Sequence, residues 1–89
     1  MTTNPADPNA PLPVANATIE PPIERVIFAR NFCKARKMAN LSQRDVHRLT
    51  GLAQSYISEV ERCLRNPSLD NMIKLAHVVN RPLYLLLKP

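Results

Sequence analysis

The stretch from residue 42 to residue 62 reads SQRDVHRLTGLAQSYISEVER, and it spaces Gln54, Ser55, Ser58, Glu59 and Arg62 so that they share one side of a helix. Short amide and hydroxyl groups occupy that side in place of the long Lys and Glu side chains of an ordinary solvated face. Such a row suits recognition by hydrogen bonding and offers nothing for catalysis. The rest of the chain offers no better. His47 and His77 lack a Ser, Cys or carboxylate partner at useful spacing, Cys33 and Cys63 lack a base, and there is no glycine-rich phosphate loop. Asp45 and His47 are only two residues apart, which points helical side chains away from each other. The cysteines have no second Cys or His at metal-ligand spacing, so they read as two reduced thiols, Cys33 half-buried in a helix. The expectation is a non-enzyme with no cofactor and no metal.

Two short amphipathic segments must hold the polar row, joined at Gly51, the one glycine of the chain. Ser42 offers an N-cap, and Asp45 three residues later completes a shortened capping box at the positive end of the helix dipole, so a helix is predicted over 43–49. Gly51 ends it where a left-handed residue costs little, and Leu52 fills the corner. The next helix is predicted over 54–62, with Ile57 and Val60 opposite the polar row. Upstream, Pro21-Pro22 can start a helix but not sit inside one. The following residues predict a helix over 23–38 with an apolar stripe of Ile23, Val26, Ile27, Phe28, Phe32, Cys33 and Ala35. Downstream, Ser68 caps a fourth helix whose buried face is expected to be Leu69, Met72, Ile73, Ala76 and Val79. Pro82 then opens a short fifth helix that is apolar nearly all round.

Eighty-nine residues make one domain with a small core, too economical for a roomy active-site cavity. Residues 1–22 hold six of the nine prolines and almost no large apolar side chain, which predicts a disordered, partly extended tail; residues 23–89 form the domain. That domain carries all 12 Lys and Arg against 5 Asp and Glu, and the excess points to a polyanionic partner. No apolar run is long enough to span a bilayer and no signal peptide is recognisable, so the protein is expected in the cytoplasm, away from membranes.

Two short helices on a tight glycine turn, the second displaying Gln and Ser, make a helix-turn-helix arrangement. The stretch LSQRDVHRLTGLAQSYISEVERCLRNPSLDNMIKLA resembles the phage repressor and Cro-type (XRE) helix-turn-helix family. It shares the Ser-Gln start, the central glycine, the Ile-Ser…Glu recognition helix and the Pro-Ser-Leu loop, and the resemblance covers residues 24–87. It implies an all-α, five-helix, lambda-repressor-like bundle that binds double-stranded DNA sequence-specifically as a transcriptional repressor or autoregulator. The implied DNA contacts are Gln43, Arg44, Gln54, Ser55, Tyr56, Ser58, Glu59 and Arg62. Of these, Gln43 and Arg62 match phosphate-contacting positions and Gln54 and Ser55 match base-reading ones. Glutamine can make two hydrogen bonds to adenine N6 and N7. Arg36 and Glu61 match a partly buried ion pair tying the first helix to the end of the third.

The departures from the family pattern are specific. His47 replaces a small residue and requires either a wider spacing of the two motif helices or an outward rotamer. Ala53 replaces the usual Ser or Thr cap, which is worth about 0.5–2 kcal/mol where it forms. Cys63 stands where the family has glycine, a place where a positive φ is awkward. Glu59 puts an anion on the DNA face, able to accept from cytosine but repelled by phosphate. These leave a second reading open, in which the fold grips another regulator as an antiactivator or antitoxin-like antagonist. Leu83, Tyr84, Leu86 and Leu87 are the expected partner face, for a homodimer first and for another protein second.

Overall fold

The computed structural model describes residues 20–89. Most of the expected tail, residues 1–19, lies outside the described residues. Five helices and no strand form among those described: α1 Ile23–Met38, α2 Gln43–Thr50, α3 Gln54–Glu61, α4 Leu69–Val78 and α5 Leu83–Leu86. Four of the five starts follow from a local signal. Pro22 precedes α1 and Pro82 precedes α5, while the Ser42 and Ser68 hydroxyls accept from the backbone N–H groups of Asp45 and Asn71. At α2 the Asp45 carboxylate answers by accepting from the Ser42 N–H, which completes the capping box.

The ends are equally legible. Asn40, Cys63 and Asn80 follow α1, α3 and α4 with φ of 59, 61 and 58°. Each lies inside the same pair of backbone bonds. In the case of α3, Leu64 N–H reaches Glu59 O at 2.8 Å and Cys63 N–H reaches Val60 O at 3.1 Å. Gly51 closes α2 at φ 78°, its N–H on His47 O at 2.8 Å. A side chain there would meet nothing within 4 Å, so the backbone angle alone accounts for the glycine.

The helices enclose a core of Phe28, Phe32, Val46, Ile57, Val60 and Leu75, all essentially inaccessible. Phe28 and Phe32, one turn apart, stack with ring centroids 6.1 Å apart. α2 packs on α3 and α4, and α1 on α3 and α5, which fixes the angle at which α3 is displayed. Two apolar faces differ from expectation. On α4 the buried set is Leu75, Ala76 and Val79 with Met72 half-buried, while Leu69 and Ile73 are exposed. Residues 72, 75, 76 and 79 keep the i, i+3, i+4, i+7 spacing of one stripe, and Leu69 sits in the first turn beyond the core's edge. On α1, Ile23 is exposed because the core begins a turn further along, at Phe28.

The expected partner face on α5 needs the same correction. Leu86 is only 3% exposed and belongs to the chain's own core, with Leu83 and Leu87 packed partly against it. The reason is a clip from α1: Asn31 Nδ2 donates to Leu86 O at 3.0 Å and Lys88 O at 2.8 Å, holding the one-turn helix inward. Tyr84 and Leu85 face outward instead, 72% and 41% exposed.

Candidate nucleic-acid interface

The Gly51 turn is braced by side chains. Thr50 Oγ1 donates to Val46 O and accepts from Leu52 N–H, and His47 Nδ1 lies 2.7 Å from Leu52 O. A carbonyl only accepts, so Nδ1 carries the proton. His47 is therefore turned outward and spans the turn, and the close packing of α2 on α3 survives a large residue at that position.

α3 begins without a side-chain cap, since Ala53 supplies none. Gln54 and Ser55 stand exposed at its open, positive end, with Ser58 and Glu59 half-buried further along and Arg62 exposed at the C-cap. Arg44 is exposed in the first turn of α2. Tyr56 is half-buried, its ring against the core and its hydroxyl accepting from Asn71 Nδ2 at 3.0 Å. Glu59 accepts from Arg65 through Nε at 3.0 Å and Nη2 at 2.7 Å, which neutralises the anion that stands among these groups.

Behind the exposed edge lies a charged anchor. Arg36 donates through Nε to Glu61 Oε2 at 2.6 Å and through Nη2 to Oε1 at 3.0 Å, and its Nη1 reaches Leu41 O at 2.8 Å. Gln43 Nε2 adds a bond to Glu61 Oε1 at 3.0 Å. Both charged side chains are about one-tenth exposed or less, at 10% and 7%. Burial pushes the Glu61 carboxyl up, but the hydrogen bonds from Arg36 and Gln43 and the Arg36 charge outweigh it and hold the group below the usual carboxylate range. The hydrogen bond to Glu61 raises Arg36 in turn. Gln43 is thus half-buried at the base of the interface, its amide oriented by the anchor.

Arg65 and Asn71 are the side chains at this edge that sequence reasoning missed. Arg65 reaches Glu59 from a loop, outside any helical i, i+4 rule, and Asn71 meets Tyr56 from another helix, so no local spacing advertises either. Among the described residues no three His, Cys, Asp or Glu side chains cluster to hold a metal ion, and no helix is long and apolar enough to cross a membrane.

Residues 34–86, more than half of the chain, match the helix-turn-helix family model. The chain belongs to the helix-turn-helix family. Its similarity to individual members is substantial. Control protein C.SmaI of Serratia marcescens is 41% identical over 54 residues, 61% of this chain and 64% of that protein. The HTH-type transcriptional regulator y4dJ of Sinorhizobium fredii is 33% identical over 55 residues, 62% of this chain and 71% of that protein. Among solved structures, the restriction-modification controller protein C.AhdI from Aeromonas hydrophila superposes with a TM-score of 0.68 at 35% identity, over 73% of this chain and 98% of that one. The hypothetical transcription factor NHTF from Neisseria gives 0.70 at 35%, over 81% and 86%. This helix-turn-helix domain is that of a DNA-binding transcriptional regulator.

Proposed function

We propose that the protein is a repressor or autoregulator that occupies promoter DNA as a homodimer, with α3 in the major groove. The observation that carries this reading is the exposed edge at the open start of α3, where Gln54 and Ser55 stand clear of the core. Gln54 reads adenine, Ser55 and Ser58 read more loosely, and Gln43, Arg44 and Arg62 meet phosphates on either side. Likeness to a control protein and to a restriction-modification controller protein supports a role in regulation. Two half-sites about 34–36 Å apart require a two-fold assembly. The outward pair Tyr84 and Leu85 supports one. Leu85 and Met38 also line a hollow of about 310 Å³ between α1 and α5, where a second copy can bury apolar surface. Titrating the protein with its own upstream DNA at two salt concentrations tests the reading. Saturable binding with a steep salt slope is expected, whereas no complex at low salt removes DNA as the ligand.

A further inference from the structure

Glu59 is the unexpected group on the exposed side of α3, an anion where phosphates must approach. It is held by Arg65, which folds back from the loop after α3. Both guanidinium bonds, from Nε at 3.0 Å and Nη2 at 2.7 Å, fall on the single oxygen Oε1. The guanidinium carbon also lies 5.2 Å from the centroid of the Tyr56 ring, and Tyr56 is itself fixed by Asn71. The result is a guanidinium laid along the flank of the recognition helix, with its side chain 50% exposed and that of Glu59 36% exposed. A planar fork in that place matches the geometry of a phosphate. A pair this exposed gains little in water and separates readily when a better anion arrives.

We propose that Arg65 is a phosphate-contacting residue and that Glu59 is its internal competitor, so that the recognition helix carries a built-in limit on its own affinity. The proposal rests on the reading of the chain as a DNA-binding regulator. On the duplex the guanidinium exchanges the Glu59 carboxylate for a backbone phosphate. The carboxylate left behind faces the polyanion and offsets part of the gain. Free protein and complex thus differ in the partner of Arg65, with no change of fold.

The test is fluorescence anisotropy of the full chain with two labelled duplexes, one of random sequence and one of alternating A·T, across a salt series. Glu59→Gln keeps the shape and removes the charge. It is expected to tighten binding several-fold on both duplexes and to steepen the log–log salt slope by about 0.9, because no carboxylate is left to take up a cation when Arg65 moves to phosphate. Arg65→Gln is expected to weaken binding by a larger factor in the Glu59→Gln background than in the wild type. Equal Arg65→Gln penalties in the two backgrounds mean that Glu59 acts by repulsion alone and overturn the proposal. So does an Arg65 effect present on the random duplex and missing on the A·T one, which assigns the contact to guanine. Failure of the wild type and all variants to bind either duplex is distinct: it overturns the DNA reading and the proposal with it.

Discussion

Arg36 and Glu61 meet through two hydrogen bonds, at 2.6 and 3.0 Å, inside a site where each side chain is a tenth exposed or less. The pair joins the last turn of α1 to the last residue of α3, and Gln43 joins it from the start of α2. Three helices of the motif therefore converge on one carboxylate. Removing one partner strands the other charge in a desolvated place, which costs about 3–5 kcal/mol. Arg36→Met and Glu61→Leu are each expected to lose that much in urea unfolding followed by helical circular dichroism. The double variant is expected to lose less than either single one. Additive losses would mean that the two residues act independently.

The same carboxylate predicts a pH dependence. Glu61 is held below its ordinary value of 4.5 in the fold, so below that value the unfolded chain binds the proton more readily. Its contribution is present above pH 4.5 and is lost as the pH falls through the folded value. Asp45, lowered by the Ser42 backbone hydrogen bond, acts in the same direction. The stability difference between the wild type and Glu61→Gln is expected to be constant near neutrality and to shrink in acid. A difference that grows as the pH falls below 4.5 contradicts the assignment.

Gly51 and Cys63 occupy the same left-handed region, at φ 78 and 61°, with opposite suitability. An L-residue there costs about 1–2 kcal/mol, of which a Gly→Ala change returns about 0.4–1 by restricting the unfolded chain. Gly51→Ala is therefore expected to destabilise by about 1 kcal/mol, through backbone strain alone, since space for the methyl group exists. Cys63→Asn should stabilise the domain modestly, because asparagine tolerates this region. Thermal melts of the two variants moving in the same direction would refute the account.

These cases show which parts of the molecule were readable in advance. The Ser42–Asp45 box and the Gly51 stop follow from contacts within five residues, and such signals survive in a bare sequence. The resemblance to repressors paired Arg36 with Glu61 across 25 positions, which no local rule could have done. Errors arose where a neighbour decides. Leu75 displaced Ile73 on the buried side of α4 because the helix turns its stripe toward Val46 and Ile57, and Asn31 drew Leu86 inward from α1. The direction of His47 depended on a free carbonyl at Leu52, and the pairing of Glu59 depended on the path of a loop. Both are properties of tertiary geometry.

Two glutamines separate reading from holding. Gln54 is exposed at the start of α3, whereas the Gln43 amide is already committed to Glu61 at the start of α2. Gln54→Ala is expected to lose about 1–3 kcal/mol on a specific site and little on random duplex. Gln43→Ala is expected to weaken all sequences alike and to lower the melting temperature as well, because Glu61 loses a donor. Equal losses for Gln54→Ala on specific and random DNA would remove it as a base reader.

Leu85 offers the sharpest test of assembly because it is exposed while its neighbour Leu86 is not. Charge placed at Leu86 would unfold the core and tell nothing about partners. Leu85 and Tyr84 can be changed with the fold intact, since they are 41% and 72% exposed. In the proposed homodimer the Met38–Leu85 hollow, which Lys34 and Arg81 also line, is covered by a second copy, so Leu85→Arg desolvates a third cation beside these two and is expected to shift sedimentation from dimer to monomer. Because two half-sites then bind separately, operator affinity should fall much more than affinity for a single half-site. A Leu85→Arg protein that stays dimeric and keeps full operator affinity places the two-fold seam elsewhere. A wild type that sediments as a monomer at all concentrations, yet is pulled from that state by another regulator, favours the protein-antagonist role for the same face.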